Sequence, residues 1–521
     1  MKKPIAIAIV AALLAITPPV QAQEWPWSGE MQARDKYVFE IWEDPRSQAS
    51  HLNRIVDFNS RLAPGEFHES RTCVSITEGE CAVQLAGSRD SFEGTYVAPV
   101  CKTASDENCI EWISIHKIGE EPTRGELIRS INGGTMPKLP RYNLPAGGTT
   151  SLWKQPGMLN GAGKDTYAVT LRMELQHSAT SRGANFNITG YSLQVLPYSE
   201  ITGNFTPHFC SEYQQNGKTR VGCGGLPEEC AWTETGICGS HSTFPEGSTV
   251  TASFRIEQSA SGWFAGRLQD PTISVRAANA TQQSVQITGQ PSKVPVSRGG
   301  VSIQNANQEI RDLYKLIGCD AVCWAGIFAY NDGGIKFVNA FRETFGDKAT
   351  FVRDMWSIRS IRDLSLERCA PPRNRLLGIV ATNATAYQSQ PPQYTNGFLN
   401  FRVAGMHYLP DGKTESVGRY DLVMRSEIAR CIYGFRNAPV AATITVLDKD
   451  GNTEVATTTF GERNGWIKLS ANGFTYSEKT VRVQLTQPRR TTIACVSNTK
   501  PIKSRKVTGI SPKCPSGFKK R

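Results

Sequence analysis

Hydrophobic and polar residues alternate in several stretches of the chain between residues 149 and 300. The clearest stretches are residues 167–173, 250–256 and 273–276. Alternation with a period of two is typical of β-strands that bury one face. We therefore predict a β domain over residues 149–300, with the cysteine-rich stretch 210–238 as a disulfide-stapled loop.

The period changes after Asn305, where apolar residues recur at helical spacing. They are Ile310, Leu313, Tyr314, Leu316 and Ile317, then Phe337, Phe341 and Phe345, then Phe351, Met355 and Ile358. Spacings of three and four residues place side chains on one face of a helix. We predict a helical insert over residues 301–370, and we assign its phenylalanines to the core because an apolar helix stripe faces the interior.

Strand patterns return after residue 371 and cover residues 398–403, 420–424 and 442–447. Turn signals, Pro410-Asp411-Gly412 among them, separate these stretches. Several short strands joined by such turns are typical of a β-sandwich of the immunoglobulin-like kind. We predict a sandwich of this kind over residues 371–487.

The N-terminal region has a weaker strand pattern and contains four cysteines. We predict a disulfide-containing β region over residues 23–148, which ends in a linker rich in Pro and Gly at residues 136–148. The 46 Gly and 29 Pro of the chain also favour turn-rich β structure over helix. Because 521 residues exceed a single core, the predicted fold class is mainly β and multidomain.

The first 22 residues have the features of a secretory signal peptide. Lys2 and Lys3 precede an apolar run over residues 5–16, and Ala22 provides a small residue at the expected cleavage point. The apolar run is shorter than the about 20 residues that a membrane span needs. No later segment has the pattern of a span, so the chain is predicted to be secreted or held at the cell surface.

All 14 cysteines lie after residue 22 and fall into groups of even number. An even count in an exported chain favours disulfides over free thiols. The predicted pairs are Cys101–Cys109, Cys73–Cys81, Cys369–Cys431 and Cys495–Cys514. The third pair leaves Cys319 for Cys323, although four cysteines allow three connectivities.

Zinc is the alternative to disulfides in the second cysteine group. This group consists of Cys210, Cys223, Cys230 and Cys238, flanked by His208 and His241. The spacing contains no pair of cysteines separated by two residues, which structural zinc sites commonly use. Disulfides are therefore favoured, and no metal or cofactor is predicted.

Three segments near the C-terminus carry a resemblance to known sequences. They are Ala-Arg-Cys-Ile-Tyr-Gly-Phe at 429–435, Asn-Gly-Trp-Ile-Lys-Leu-Ser-Ala-Asn-Gly-Phe at 464–474, and the ending that contains Cys495 and Pro-Lys-Cys-Pro at 512–515. Roughly the last 150 residues resemble a group of uncharacterised exported actinobacterial proteins. The resemblance implies kinship with exported proteins, and it brings no established activity or catalytic residues.

Positive charge is concentrated in the last 35 residues. Residues 487–521 contain ten Lys or Arg and no Asp or Glu. The formal net charge of +11 becomes −1 when these ten and the two lysines of the signal peptide are left out. The residues predicted to bind an anionic surface are Lys503, Arg505, Lys506, Lys513, Lys519 and Lys520.

The predicted partners of this tail are anionic polymers of the cell envelope or lipid headgroups, which attract a basic cluster electrostatically. The alternative is a solvated basic hairpin that aids solubility. Nucleic acid is not predicted, because the tail offers only Phe518 for stacking on bases.

No motif in the sequence identifies catalytic residues. Gly161-Ala162-Gly163-Lys164-Asp165 lacks the Ser or Thr of a phosphate loop, and the Asp448 loop lacks the glycine and glutamate positions of a calcium loop. Both are interpreted as turns. The sequence therefore favours a non-enzymatic exported protein that binds a partner or the envelope. The alternative is an extracellular polysaccharide hydrolase, for which a cleft with two carboxylates would be required.

Overall fold

The structure, a computed structural model, describes most of the chain after residue 90. The described residues are 36–43, 54–58, 91–180, 183–206, 211–215, 218–222, 230–260, 262–316, 323–361, 369, 376–435, 441–454, 456–487, 491–509 and 512–521. The predicted signal peptide and the predicted pair Cys73–Cys81 lie outside these ranges. Of the predicted pair Cys319–Cys323, Cys319 lies outside them.

The described residues contain 31 β-strands. Strands β1 to β15 are Lys36–Trp42, Arg54–Phe58, Ser91–Val97, Cys109–Lys117, Glu126–Ser130, Ser151–Lys154, Thr166–Thr180, Gly183–Thr202, Ser211–Gln215, Lys218–Gly222, Cys230–Glu234, Ile237–His241, Ser248–Glu257, Gly262–Ala277 and Gln282–Val296. Strands β16 to β31 are Arg298–Ser302, Cys323–Phe328, Phe351–Ile361, Leu376–Thr382, Ala386–Tyr387, Gln393–Thr395, Phe398–Ala404, Val417–Arg425, Ala441–Asp448, Thr453–Glu454, Thr457–Arg463, Trp466–Thr475, Glu478–Thr486, Thr491–Ser497, Ser504–Gly509 and Phe518–Lys520.

Helices are few and short within the described ranges. The α-helices are α1, Gln308–Leu316, α2, Asp332–Phe341, and α3, Ser426–Tyr433, and 3-10 turns occur at Pro140–Tyr142 and Glu343–Phe345. None of these helices is long and apolar enough to cross a bilayer. The predicted mainly β fold is confirmed.

The chain divides into two compact units, and the smaller one consists of Met1–Phe39 and Gly299–Ala325. Within it, Tyr314 of α1 is buried and stacks on Tyr37 with ring centroids 4.4 Å apart. The Tyr314 hydroxyl donates a hydrogen bond of 2.7 Å to the Val38 carbonyl. This aromatic pair anchors α1.

The larger unit consists of Glu40–Arg298 and Gly326–Arg521. Its first hydrophobic core lies among β4, β7, β8, β13, β14 and β15 and includes Ile113, Leu171 and Phe254. Strand β13 pairs antiparallel with both β4 and β15. Because β4 precedes residue 148, strand pairing crosses the predicted boundary between the two N-terminal β regions.

The stretch 136–148 packs into this core and does not act as the predicted linker. Met136 and Leu144 are buried in the first core. The Met136 amide donates to the Gly147 carbonyl at 2.8 Å, and the Leu139 amide donates to Leu144 at 3.0 Å. Two apolar anchors and these bonds make the Pro- and Gly-rich stretch a folded turn.

A second core lies beneath β19, β23 and β27 and is closed by an opposing sheet that contains β22, β24 and β28. These two sheets correspond to the predicted C-terminal sandwich. Consecutive residues of β19 face opposite cores, with Ile379 in the first and Val380 in the second. Strand β19 also pairs parallel with β14. One sheet of the sandwich therefore continues into the preceding β region, so residue 371 does not begin a separate unit.

Residues 351–361 form the strand β18, which corrects the helix predicted from Phe351, Met355 and Ile358. Strands β8, β14 and β15 pair with β18. Four consecutive residues, 355–358, are buried. A strand covered on both faces can have apolar residues at any spacing, and here long-range pairing overrides the helical pattern. The predicted helical insert is thus limited to α1, α2 and the adjacent 3-10 turn.

Four disulfides are present among the described residues. They are Cys101–Cys109, Cys230–Cys238, Cys369–Cys431 and Cys495–Cys514. Three of them are pairs predicted from the sequence. The fourth shows that Cys230 and Cys238, from the group for which zinc was the alternative, are oxidised. These bonds are compatible with an extracytoplasmic protein.

Candidate functional site

The basic tail folds into a three-stranded antiparallel sheet in the order β30, β29, β31. Cys495 of β29 lies opposite Arg505 on one side and Lys520 on the other. It is also the one fully buried side chain among the described residues after 490. The Cys495–Cys514 bond attaches the segment before β31 to the middle strand. The tail therefore has its own strand pairing and a disulfide at its centre.

The six residues predicted to bind an anionic surface are all exposed. So are Lys500 and Arg521, the other basic residues among the described part of the tail. None of these eight side chains lies within 4 Å of a carboxylate of the described residues. Their charges are consequently available to a partner.

Strand register distributes the charges over both faces of the tail sheet. Arg505 and Lys520 share the face of Cys495, whereas Lys506 opposes Ala494 and Lys519 opposes Val496 on the other face. Residues on the two outer strands are separated by two strand spacings, about 10 Å. This separation is comparable to the Debye length in physiological salt, about 8 Å, so each face presents paired charges to a polyanion.

Replacing Cys495 and Cys514 with serine is expected to unfold the tail and leave the body folded. A disulfide that closes a loop of this size contributes about 3 kcal/mol, and the tail buries too little apolar surface to replace it. Trypsin should cleave the variant rapidly within residues 491–521, while the melting temperature of the body stays nearly unchanged. A tail that resists trypsin as well as the parent tail does would contradict this expectation.

A cavity of about 530 Å³ in the larger unit contains two carboxylates, Glu107 and Glu257. Glu107 precedes β4 and forms an ion pair of 2.6 Å with Lys138. Glu257 ends β13, and its Oε2 accepts a hydrogen bond of 2.9 Å from Ser259. Burial, together with the nearby Glu107 charge, raises the pKa of Glu257. The cavity thus contains one carboxyl with a raised pKa, Glu257, and a second carboxylate, Glu107, that has a cationic partner.

Neighbouring polar groups position this pair. Asn108 has a positive φ of 47°, and its amide donates to Gln282 at 3.0 Å. The Tyr191 hydroxyl donates to Asn108 Oδ1 at 2.8 Å and accepts from the Glu257 amide at 3.2 Å. Glu107 and Glu257 are 150 residues apart in sequence, so spacing contained no signal for them. The sequence did predict one feature beside this site. It is the Cys101–Cys109 bond, which closes the loop that contains Glu107.

The two loops interpreted as turns are turns in the structure. Asn160 accepts from the Gly163 amide at 2.8 Å, and Gly163 has a φ of 71°. Asp448 Oδ1 accepts from the amides of Asp450 and Asn452 at 2.9 and 2.8 Å. Within the described ranges, no three His, Cys, Asp or Glu side chains come together as metal ligands.

The fold and its exposed charges define a disulfide-containing, mainly β protein with a separate basic tail sheet. No family model matches this chain, and no curated protein matches it in sequence.

Proposed function

We propose that this chain is an exported, non-enzymatic protein whose basic tail attaches the β body to anionic groups of the cell envelope. The observation that carries the proposal is the cluster of eight exposed tail cations without a carboxylate partner. The signal-peptide pattern, the disulfides and the resemblance to exported proteins support the location. Lipid headgroups and envelope polymers share the phosphate or carboxylate chemistry that such a cluster attracts.

The charge of the body supports the assignment of envelope attachment to the tail. The body between the predicted signal peptide and the tail has a formal net charge of −1. Its basic side chains are often neutralised locally, as when Arg255 pairs with Glu111 at 2.8 Å and Lys479 pairs with Glu454 at 2.7 Å. Long-range attraction to an anionic surface therefore has to come mainly from the tail.

Cosedimentation with vesicles that contain phosphatidylglycerol tests this proposal. The intact chain should pellet with the vesicles, and a chain that lacks residues 488–521 should stay in the supernatant with a nearly unchanged melting temperature. Insoluble phosphate-bearing wall polymer, used in a second arm, distinguishes a polymer from a lipid. Equal retention of the truncated and intact chains on both supports would refute the proposal.

A second candidate function is hydrolysis of a glycosidic bond, and the Glu107–Glu257 cavity favours it. Glycoside hydrolases use one carboxylic acid to protonate the leaving oxygen and a second carboxylate as nucleophile or base. The raised pKa suits Glu257 to the acid role, and Glu107, which forms an ion pair with Lys138, is the candidate for the second carboxylate.

If the second candidate is correct, hydrolysis should require protonated Glu257. Its pKa is raised, so the active form should persist above the usual carboxyl range and the rate should fall as pH rises through that pKa. Glu257→Gln should lower the release of reducing sugar from soluble polysaccharides by about 100-fold or more. Glu126→Gln, a change at an exposed glutamate of β5, is the matched control. No release of reducing sugar by the parent chain from a broad polysaccharide panel would rule this function out.

A further inference from the structure

Two of the sequence segments singled out above meet in the folded chain. Helix α3, Ser426–Tyr433, overlaps the segment 429–435 and begins three residues before it. The hairpin between β26 and β27 turns at Asn464 and Gly465, which have positive φ angles of 52° and 78°. The Ser426 amide donates to the Gly465 carbonyl at 2.8 Å. The first turn of α3 and the tip of the hairpin therefore lie together, and they line a cavity of about 670 Å³.

Arg425 is the cation of this cavity whose carboxylate partner is exposed. Its guanidinium lies over the Trp466 ring, 5.2 Å from the centroid, and its Nε donates to the Leu376 carbonyl at 2.8 Å. Glu427 approaches Nη1 only to 3.5 Å, and its side chain is 62% exposed. Burial lowers the pKa of Arg425, since water stabilises its charge incompletely. The Trp466 ring and the Leu376 carbonyl thus hold Arg425 in place, while its carboxylate partner Glu427 is exposed to solvent.

The first turn of α3 adds donors beside Arg425. No side chain caps this helix N-terminus. The first amides of a helix have no partner within the helix, and its dipole is positive at that end. Ser426 lines the cavity with only 6% of its surface exposed, and its Oγ forms no hydrogen bond of regular geometry. A buried hydroxyl without a regular hydrogen bond costs free energy, which a ligand oxygen could recover.

The other charged pair of the cavity is already satisfied. Arg430 holds Glu462 through two contacts, 2.8 Å from Nη1 to Oε1 and 3.0 Å from Nη2 to Oε2. The Arg430 hydrogen bond, and secondarily the nearby Ser426 hydroxyl, lower the pKa of Glu462. The remaining cation, Arg425, has only the exposed Glu427 as a carboxylate partner among the described residues. Glu427 and Asn464 supply polar groups at the rim.

We propose that this cavity binds a sugar of monosaccharide size that carries one carboxylate or phosphate. The anionic group lies against Arg425, the Ser426 hydroxyl and the amides that follow Ser426 in the first turn of α3, and the sugar hydroxyls face Glu427 and Asn464. A volume of about 670 Å³ is within the usual range for small-ligand pockets. The site is separate from the tail, so the proposal is independent of attachment to the envelope.

Ligand-observed NMR titration of the full chain tests the proposal with four probes. These are glucuronate, glucose 6-phosphate, glucose and inorganic phosphate. At least one acidic sugar should bind about tenfold more tightly than glucose and than inorganic phosphate, because a charge-assisted hydrogen bond is worth at least this factor. The better of the two acidic sugars shows whether the anionic group is a carboxylate or a phosphate.

Variants assign the binding to Arg425. Arg425→Gln should weaken binding of the acidic sugar by about tenfold or more. The matched control is Arg482→Gln, since Arg482 also lies over an aromatic ring, that of Phe398 at 5.4 Å, but is exposed and outside this cavity. Ser426→Ala should weaken binding about threefold to tenfold and provides a second variant if Arg425→Gln does not fold.

Several results would overturn the proposal. They are equal affinity for glucose and the acidic sugars, equal affinity for inorganic phosphate and the acidic sugars, and no binding of any probe. Unchanged binding in both Arg425→Gln and Ser426→Ala would do the same.

Discussion

Replacing Glu43 with alanine is expected to lower the unfolding free energy by about 3 to 5 kcal/mol, because it leaves the charge of Arg267 buried and unpaired. Arg267 is completely buried in the larger unit, and its Nε donates to Glu43 Oε2 at 2.7 Å. Its Nη1 donates to the carbonyls of Thr382, at 3.0 Å, and Ala384. Urea unfolding, followed by tryptophan fluorescence, measures the loss.

Tyr387 completes this buried cluster. Its hydroxyl donates to Glu43 Oε1 at 2.7 Å, and the Arg267 guanidinium lies 4.7 Å from its ring centroid. Burial raises the pKa of Tyr387 well above its ordinary value, so the phenol stays protonated as a donor. Loss of Glu43 therefore removes the acceptor of two buried donors at once.

Two further variants separate this effect from a general loss of charge. Glu107→Ala breaks an ion pair whose partners are 53% and 35% exposed, and it should cost no more than about 1 kcal/mol. The double variant Glu43→Leu with Arg267→Met should recover much of the loss, because apolar side chains tolerate burial. A loss below about 1 kcal/mol for Glu43→Ala would show that Arg267 does not need its partner.

Alternation and cysteine grouping predicted much of the local structure correctly. The stretches 167–173 and 250–256 lie within the strands β7 and β13, and the Cys369–Cys431 bond is present. The strands depend on residues close in sequence, and the disulfide depends on the pairing of cysteines that an oxidising compartment favours. Local patterns were sufficient for the strands, and the even grouping of cysteines was sufficient for a pair 62 residues apart.

Features that depend on distant residues could not be predicted from the sequence. Strand β18 has helical apolar spacing, but it pairs with β8, β14 and β15, and its residues 355–358 are all buried. Glu43 and Arg267 are 224 residues apart, and no pattern links them. Strand pairing crosses the boundaries predicted near residues 148 and 371, because β13 pairs with β4 and β14 pairs with β19. For the candidate sites, composition identified the tail, whereas the cavities required the fold.

Neutralising the tail charges is expected to have the largest effect on binding. The variant changes Lys503, Arg505, Lys506, Lys513, Lys519 and Lys520 to glutamine and keeps the Cys495–Cys514 bond. Each cation near an anionic surface contributes about 1 kcal/mol. Because the charges occupy both faces of the sheet, about half of the six can contact a flat surface together. Vesicle affinity should therefore fall by about 100-fold, the equivalent of ~3 kcal/mol.

A matched variant separates the effect of the tail charges from the effect of total net charge. It changes six exposed cations outside the tail to glutamine, namely Lys102, Lys164, Lys315, Lys336, Lys413 and Lys449. Its net charge equals that of the tail variant, and its vesicle affinity should change less than about threefold, since these side chains are dispersed over the surface. Equal losses in the two variants would show that net charge governs attachment and that the tail has no special role.

The salt dependence of attachment tests the central claim most directly. Cosedimentation of the intact, oxidised chain with phosphatidylglycerol vesicles is measured from about 0.01 to 1 M salt, over which the Debye length falls from about 30 to 3 Å. We expect the bound fraction of the intact chain to fall steeply over this range, while the tail-neutralised variant binds weakly throughout. Retention of the intact chain that does not change with salt would contradict electrostatic attachment through the tail.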